Sequence, residues 1–244
     1  MDMMVLGGGY GTRLFGKYNR EKYIPKGLLK IGNSPIIDIT LSCFSHSLID
    51  RIILETNKEG EEFYINWMNN REDRSKISIY LDKNSSPNNP HGVLGTIEST
   101  IKDCSLDKSP LLIIAPDNFF TENLDNMINY YSNEDAFIAT YELEDFSDAK
   151  KYGVVKVVKD EIVNCKEKPD SPDSKLIRTS CEIWGERAFS YLEKWNKIYK
   201  ADRVGDFINY LIDENCNVRS YKLNSFWIDI GSKEDLEKLR RLKI

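Results

Sequence analysis

The chain has 244 residues, with 34 Lys and Arg against 39 Asp and Glu, and its formal net charge is −5. This length is typical of one large domain, or of a core domain with a subdomain. The net negative charge argues against a nucleic-acid-binding protein, because a phosphate backbone calls for a basic face. A hydrophobic content of 41% excludes a disordered chain.

The sequence carries no pattern typical of membrane spans, secretion or zinc binding. No apolar run approaches the roughly 20 residues that span a bilayer, and Asp2 stands where a secretion signal would be basic. The five cysteines are scattered without a C-x-x-C pair, and the two histidines are His46 and His91. We therefore expect a cytoplasmic protein with buried thiols and with no nucleic-acid or membrane partner.

The first 150 residues alternate between short apolar runs and amphipathic stretches. Strands are predicted at 3–6, 51–56, 77–81, 111–115 and 136–141, and helices at 36–44, 59–70, 95–101 and 124–131. In the second of these helices, Phe63, Trp67 and Met68 form the predicted apolar face. The run LLIIA at 111–115 favours a central strand buried on both faces. This alternation predicts an α/β fold with a doubly wound, mostly parallel, Rossmann-like sheet.

Beyond residue 150 the sequence becomes richer in strand patterns. Segments 154–158 and 161–165 predict a hairpin around Lys159-Asp160. Strands are predicted at 218–223 and 226–228, and helices at 188–195, 204–213 and 233–243. We expect a single domain over 1–244 with a soft division near residue 150, in which a smaller β-rich subdomain is interleaved with the main sheet.

A glycine-rich loop, LGGGYGTRL at 6–14, is the strongest local signal. Glycines allow the backbone to approach a phosphate closely, and Arg13 adds a cation suited to it. The dinucleotide fingerprint G-x-G-x-x-G is missed, because Thr12 and Leu14 stand where a third glycine is required. A Walker A loop at 11–18 is missed as well, since Tyr18 replaces the Ser or Thr that holds Mg²⁺. The loop therefore predicts a phosphate site of another kind.

A second motif, PKGLL at 25–29, follows this loop. Together the two motifs resemble the signature of the sugar nucleotidylyltransferase family, which includes glucose-1-phosphate thymidylyltransferase-like enzymes. The chain departs from the family pattern near Gly16 and at Lys30, where the family has proline. The resemblance implies that Arg13 and Lys26 are catalytic cations. It also implies nucleotide contacts from the loop and from a later Gly-Thr pair, namely Leu6, Gly7, Gly8, Gly9, Gly11, Thr12, Gly95 and Thr96.

Four later motifs extend the resemblance over nearly the whole chain. They are Asp117-Asn118, YGVV at 152–155, EKP at 167–169 and WIDIGS at 227–232. By resemblance, Asp117 and Asp229 hold Mg²⁺, and residues 1–150 and 151–244 form a nucleotide-binding half and a sugar-binding half. The implied substrate-binding residues are Asp117, Gly153, Glu167, Lys168 and Trp227.

One segment, TSCEIWG at 179–185, departs from the family pattern. Glu182 stands near an expected glycine, and we include it among the substrate-binding candidates, since a carboxylate suits extra hydroxyls or a cationic acceptor. The resemblance implies an enzyme that condenses an NTP with a sugar 1-phosphate. Two alternatives stay open: a cytidylyltransferase acting on phosphocholine or inositol phosphate, and a non-catalytic relative that binds an NDP-sugar. The sequence specifies neither nucleobase nor sugar, and leaves a homo-oligomer open.

Overall fold

Short strands and helices alternate along the chain in the computed structural model, which describes residues 1–15, 23–199 and 202–241, without the side chains of Arg13 and Phe15. The strands are β1 (Asp2–Leu6), β2 (Lys30–Ile31), β3 (Ser34–Pro35), β4 (Ile52–Thr56), β5 (Ile77–Leu81), β6 (Leu111–Ile114), β7 (Asn118–Phe120), β8 (Ala136–Glu142), β9 (Gly153–Val158), β10 (Glu161–Glu167), β11 (Leu176–Trp184), β12 (Val218–Lys222) and β13 (Trp227–Asp229). The helices are α1 (Thr12–Phe15), α2 (Ile36–Ser42), α3 (Glu61–Asn69), α4 (Val93–Cys104), α5 (Asp125–Tyr130), α6 (Glu186–Ile198), α7 (Val204–Asp213) and α8 (Lys233–Arg241).

Contacts between residues divide the chain into two compact units. The first, which we call the glycine-loop unit, comprises Asp2–His91, Ile114–Asp125 and Ser225–Ile244. The second, the hairpin unit, comprises Met1, Gly92–Ile113 and Asn126–Asn224. Both units are therefore built from segments that are separated in sequence.

The glycine-loop unit contains the parallel strands β5, β4 and β1, side by side in that order. β4 is buried along its whole length, as its apolar sequence predicts. β7 and β13 form a separate antiparallel pair. Beneath that pair lies an apolar cluster to which α2, β7, β13 and α8 contribute, formed by Ile36, Phe119, Ile228, Ile230, Leu236 and Leu239.

The hairpin unit contains a mixed sheet in the order β11-β8-β12-β10-β9, with a further pairing between β11 and β9. β8 and β12 are parallel, whereas β9 with β10 and β8 with β11 are antiparallel. The predicted hairpin turn is confirmed: Lys159 and Asp160 have φ of 50° and 68°, the left-handed pair of a type I′ turn. Packing of α7 on β10 places the helix start beside the end of the hairpin.

The predicted α/β class is confirmed, and the sheet of the hairpin unit is mixed. The more specific doubly wound, Rossmann-like arrangement stays a prediction. β11 was not predicted, because Arg178 and Glu182 interrupt its apolar pattern and a register irregularity lies between them. The predicted apolar face of α3 is wrong at Phe63, which is 41% exposed, whereas Tyr64 is fully buried. None of the described helices is both long and apolar enough to cross a membrane.

Candidate active site

The first half of the glycine loop is fixed by β4 and the segment after it. The Gly7 N–H donates to the backbone carbonyl oxygen of Glu55 at 2.8 Å, and the Gly8 N–H donates to Glu55 Oε2 at 3.1 Å. Asn57 Nδ2 donates to the Gly8 carbonyl oxygen at 2.6 Å. These bonds hold the chain where β1 ends at Leu6, directly beside Glu55 in the parallel register.

The second half of the loop keeps backbone donors for an anion. Among the described residues, the N–H groups of Gly9 and Gly11 have no hydrogen-bond acceptor. Gly11 has φ of 64°, a conformation that glycine adopts at little cost, and Thr12 begins α1 directly after it. The predicted nucleotide-binding residues thus lie at the end of β1 (Leu6), in the loop (Gly7, Gly8, Gly9 and Gly11) and at the start of α1 (Thr12). The side chain of Arg13 lies outside the described residues.

A matched pair of glycine substitutions tests this loop geometry. At Gly7 an added Cβ would lie 2.7 Å from the Glu55 backbone oxygen, whereas at Gly9 it would meet nothing within 4 Å. We expect Gly7→Ala to lower the free energy of unfolding by about 1–3 kcal/mol, the usual cost of overpacking, because a backbone atom cannot yield. Gly9→Ala should leave it nearly unchanged. Urea unfolding of both variants checks this, and equal losses would contradict the loop geometry.

Lys26 and Asp117 form an ion pair in the glycine-loop unit. Lys26 Nζ lies 2.9 Å from Asp117 Oδ2, and the side chains are 20% and 16% exposed. Lys26 opens a 3₁₀ turn that follows Pro25. An added Cβ on Gly27 would lie 2.9 Å from Pro116 Cβ, so a glycine here lets the two segments approach. Two residues that are far apart in sequence and predicted to act together are thus in contact.

The pairing of β7 with β13 brings together the backbone segments that carry Asp117 and Asp229. Asp229 stands opposite Asn118, and the Ile230 N–H donates to the Asp117 carbonyl oxygen at 3.0 Å. Carboxylates are ligands that Mg²⁺ prefers, together with phosphate oxygens and water. Among the described residues no group of three or more His, Cys, Asp or Glu side chains could hold a metal. Asp117 and Asp229 offer the oxygen donors that suit Mg²⁺, and phosphate oxygens and water would have to complete its coordination.

Trp227 is buried between these strands. It is 4% exposed, and its Nε1 donates to Asn118 Oδ1 at 2.8 Å. The side chain therefore braces the strands that carry the two aspartates. Its predicted contact with substrate stays a prediction.

The hairpin unit brings together Gly153, Glu167 and Lys168. Gly153 stands opposite Glu167 in the register of β9 and β10, and the Lys168 N–H donates to the Tyr152 carbonyl oxygen at 3.0 Å. Lys168 Nζ lies 3.5 Å from Glu167 Oε1. The Gly205 N–H, in the first turn of α7, donates to Glu167 Oε2 at 3.0 Å. Glu167 thus borders a cavity of about 420 Å³, which Lys166 and Asp206 also line.

Arg178 and Glu182 form a buried ion pair in the same unit. Both Nε and Nη2 of Arg178 donate to Glu182 Oε1, and Trp184 Nε1 donates to Glu182 Oε2 at 2.7 Å. Burial lowers the pKa of Arg178, but Glu182 and Glu167 outweigh it and raise the pKa overall. An added Cβ on Gly153 would lie 2.8 Å from Arg178 Cγ and Cδ. Both carboxylate oxygens of Glu182 therefore already accept hydrogen bonds from protein donors, and its predicted substrate contact stays a prediction.

Gly95 and Thr96 lie in the first turn of α4, within the hairpin unit. The helix follows Gly92, whose φ is 88°, and the Leu94 N–H donates to Asp202 Oδ1 at 3.2 Å. Thr96 is buried, and its carbonyl oxygen accepts from Thr100 Oγ1 at 2.8 Å. The predicted nucleotide contacts of this pair stay predictions.

Sequence analysis missed three polar residues beside these sites: Glu55 and Tyr64, which are buried, and Arg178, whose side chain is 11% exposed. Tyr64 is fully buried, and its hydroxyl has no hydrogen-bond partner among the described residues. An added Cβ on Gly7 or on Gly27 would lie 3.0 or 3.2 Å from that hydroxyl oxygen. The signal was present for Glu55 and Arg178, since each is a charged residue inside an apolar strand sequence.

Comparison with known proteins defines the class to which this fold and site belong. The sequence model of the family described as nucleotidyl transferase matches residues 2–242, and the chain belongs to this family. The resemblance predicted from the sequence motifs is thereby confirmed. The chain is 28% identical to the bifunctional protein GlmU of Methanococcus aeolicus, and 27% identical to the glucose-1-phosphate adenylyltransferase of Clostridium novyi. Each match covers 97% of this chain but only 53% and 65%, respectively, of those relatives.

Solved structures with the same fold include two proteins of different specificity. A candidate glucose-1-phosphate thymidylyltransferase from Bacillus anthracis, in complex with sucrose, matches with a TM-score of 0.83 at 20% identity, over 99% of this chain and 94% of that one. The inositol-1-phosphate CTP transferase of T. maritima matches with a TM-score of 0.79 at 15% identity, over 98% and 94%. At these identities the likeness establishes the fold alone.

Proposed function

We propose that this chain transfers a nucleotidyl group from an NTP to the phosphate of a sugar 1-phosphate, with Mg²⁺, to give an NDP-sugar and pyrophosphate. A phosphate oxygen of the acceptor forms a bond to the α-phosphorus, and the bond from that phosphorus to the leaving pyrophosphate breaks. The acceptor phosphate is already ionised near neutral pH, so the reaction needs no general base. It needs positioning and charge neutralisation.

One observation carries the proposal: Lys26 contacts Asp117, whose backbone oxygen accepts the N–H of the residue after Asp229, in the unit that contains the glycine loop. Each of these features taken separately, whether the lysine, the carboxylates or the glycine loop, also occurs in proteins for purely structural reasons. A cation paired with Asp117, on a segment bonded to the one that carries Asp229, suits transfer between two phosphates, because negative charge must be balanced throughout.

The chemistry of the reaction assigns each of these groups a role. The N–H groups of Gly9 and Gly11 would bind the triphosphate, and Arg13 would balance charge on the leaving pyrophosphate. Lys26 would leave Asp117 for the α-phosphate, where negative charge develops. Asp117 and Asp229 would hold Mg²⁺, which supplies charge neutralisation of the phosphates when bound. Lys168 would attract the anionic acceptor.

The surroundings of Glu182 favour a sugar phosphate over a cationic acceptor. A cationic acceptor such as phosphocholine would need a carboxylate without a counter-ion. Glu182 is 3% exposed and paired with Arg178, so its charge is already balanced. Glu167 instead borders the cavity, where a carboxylate oxygen can accept hydrogen bonds from sugar hydroxyls.

Pyrophosphate release tests the proposed reaction. The purified protein is incubated with Mg²⁺ and each of ATP, CTP, GTP, UTP and dTTP, against a pool of sugar 1-phosphates and separately against phosphocholine and inositol 1-phosphate. We expect release that depends on one base, on the sugar pool and on Mg²⁺, and that stops with EDTA. Pyrophosphate release with phosphocholine or inositol 1-phosphate, but not with the sugar pool, would show that the acceptor is not a sugar 1-phosphate. Stabilisation by an NDP-sugar without turnover would indicate the non-catalytic relative.

A substitution at Gly205 tests the assignment of Glu167 to the acceptor. An added Cβ at Gly205 would lie 2.7 Å from Glu167 Oε2 and would displace that carboxylate. We expect Gly205→Ala to raise KM for the acceptor by about tenfold, the value of one lost hydrogen bond to a charged group. KM for the NTP serves as the internal control and should stay within about twofold. An equal rise in KM for the acceptor and in KM for the NTP would contradict the assignment of Glu167 to the acceptor site.

A further inference from the structure

A buried carboxyl group of β4 contacts the glycine loop. Glu55 is 3% exposed, its Oε2 accepts the Gly8 N–H at 3.1 Å, and its backbone oxygen accepts the Gly7 N–H at 2.8 Å. An added Cβ on Gly8 would lie 2.3 Å from Glu55 Oε1, so the carboxyl group lies directly against the loop backbone. Glu55 therefore holds a donor in the same loop that the proposed function assigns to phosphate binding.

The protonation state of Glu55 is set by burial and by a neighbouring anion. Burial raises its pKa to about 8, the Gly8 N–H opposes this rise, and the Asp82 carboxylate adds to it. Asp82 is 1% exposed, and its Oδ2 lies 2.9 Å from His91 Nδ1. The other titratable groups of the described elements around Glu55 are Tyr80, opposite it in the β5 register, Tyr64 of α3, and Tyr23, whose hydroxyl donates to the Gly9 carbonyl oxygen.

The two protonation states have opposite consequences for an anion at the loop. An ionised Glu55 retains the Gly8 N–H strongly and repels a triphosphate bound to the neighbouring amides, in a buried setting that screens little. A neutral Glu55 accepts the same hydrogen bond more weakly and exerts no net repulsion. The hydrogen bonds of Gly7 with the Glu55 backbone and of Asn57 with the Gly8 backbone hold the loop conformation in either state. The change in protonation therefore alters the affinity for an anion rather than the loop conformation.

We propose that Glu55 is a positioning residue whose protonation controls the affinity of the glycine loop for the NTP. The neutral acid permits triphosphate binding, and the carboxylate opposes it. The proposal rests on the proposed function, because it requires the NTP phosphates to lie at this loop. As the pH rises through about 8, Glu55 ionises and NTP affinity falls, while the step that follows binding is unaffected.

Glu55→Gln gives the matched control, because an amide oxygen still accepts the Gly8 N–H but does not titrate. The probe is whichever of ATP, CTP, GTP, UTP and dTTP most raises Tm, with Mg²⁺, and its Kd is measured by calorimetry from pH 7.0 to 9.5 at constant ionic strength. We expect wild-type Kd to rise about sevenfold over this range, and that of Glu55→Gln to change by less than about threefold. Titration of the ligand or of the tyrosines affects both proteins equally. Parallel profiles would overturn the proposal.

A second measurement uses the wild-type protein, and it tests the proposal even if Glu55→Gln does not fold. In wild-type protein labelled with ¹³C at the glutamate carboxyl groups and with ¹⁵N at glycine, the Glu55 carboxyl and the Gly8 amide should titrate together. Bound NTP should raise their common pKa by about one unit, because a ligand that prefers the neutral acid stabilises it. If the pKa is unchanged when NTP is bound, the proposal for Glu55 is overturned, but the proposed function is not. Absence of NTP binding at every pH would overturn the proposed function along with it.

Discussion

Replacing Lys26 by alanine should lower kcat by on the order of 10²–10³, the scale for removing one preorganised electrostatic group at a phosphate. The reason is its position: Nζ is 2.9 Å from Asp117 Oδ2, and the proposed reaction places the phosphates of the NTP beside that carboxylate. Asp117→Ala should give a loss of the same size, because it removes both a proposed metal ligand and the group that pairs with Lys26. Steady-state pyrophosphate release with the cognate NTP and acceptor measures both losses.

Lys30→Ala is the matched control for this prediction. Lys30 is exposed, only four positions further along the chain, and its removal should change kcat by less than about twofold. Thermal unfolding of each variant shows whether a lost activity reflects a lost fold. Losses below tenfold for both Lys26→Ala and Asp117→Ala would contradict the assignment of this pair to the reaction.

Arg178→Met should lower the free energy of unfolding by about 3–5 kcal/mol, the range for breaking a buried ion pair from one side. Glu182 is 3% exposed, and without Arg178 its remaining partner is the indole N–H of Trp184. An uncompensated carboxylate would then be left in the interior. Urea unfolding at neutral pH measures the loss.

The double variant Arg178→Met/Glu182→Gln should recover more than half of that loss. The glutamine still accepts from Trp184 Nε1, but it carries no charge that needs a partner. An exposed pair in the same unit, Lys166 with Asp173, provides the comparison, and Lys166→Met should change stability by less than about 1 kcal/mol. If the single and double variants are equally destabilised, packing against Gly153 rather than charge explains the role of Arg178.

Strand and helix positions could be predicted wherever the apolar pattern was uninterrupted. α7 has its predicted limits, and β4 and β5 lie within one residue of theirs. β11 could not be predicted, since its two charges are tolerated only because they pair with each other. The same limitation hid Tyr64, because periodicity alone does not show which aromatic residue of α3 has a fully enclosed position.

The candidate site could be predicted as a set of motifs, but not as a set of contacts. Residue order indicated that Lys26 and Asp117 act together, and their ion pair depends on a close approach at Gly27 that no spacing shows. Glu55 illustrates the converse. Its charge inside a buried strand was visible in the sequence, yet only the neighbouring Gly8 N–H gives that charge a candidate role.

The division of the chain into interleaved units has a consequence for biosynthesis. The apolar cluster of the glycine-loop unit joins Ile36 to Leu239, and Asp229 belongs to one of the last strands. A ribosome delivers residues in order, so this unit cannot complete its core while the nascent chain still ends before α8. The loop and Lys26 are thus synthesised long before the residues that finish their surroundings. A frameshift near residue 225, which removes these last residues, should therefore abolish folding of the glycine-loop unit, even though it spares the long hairpin-unit segment.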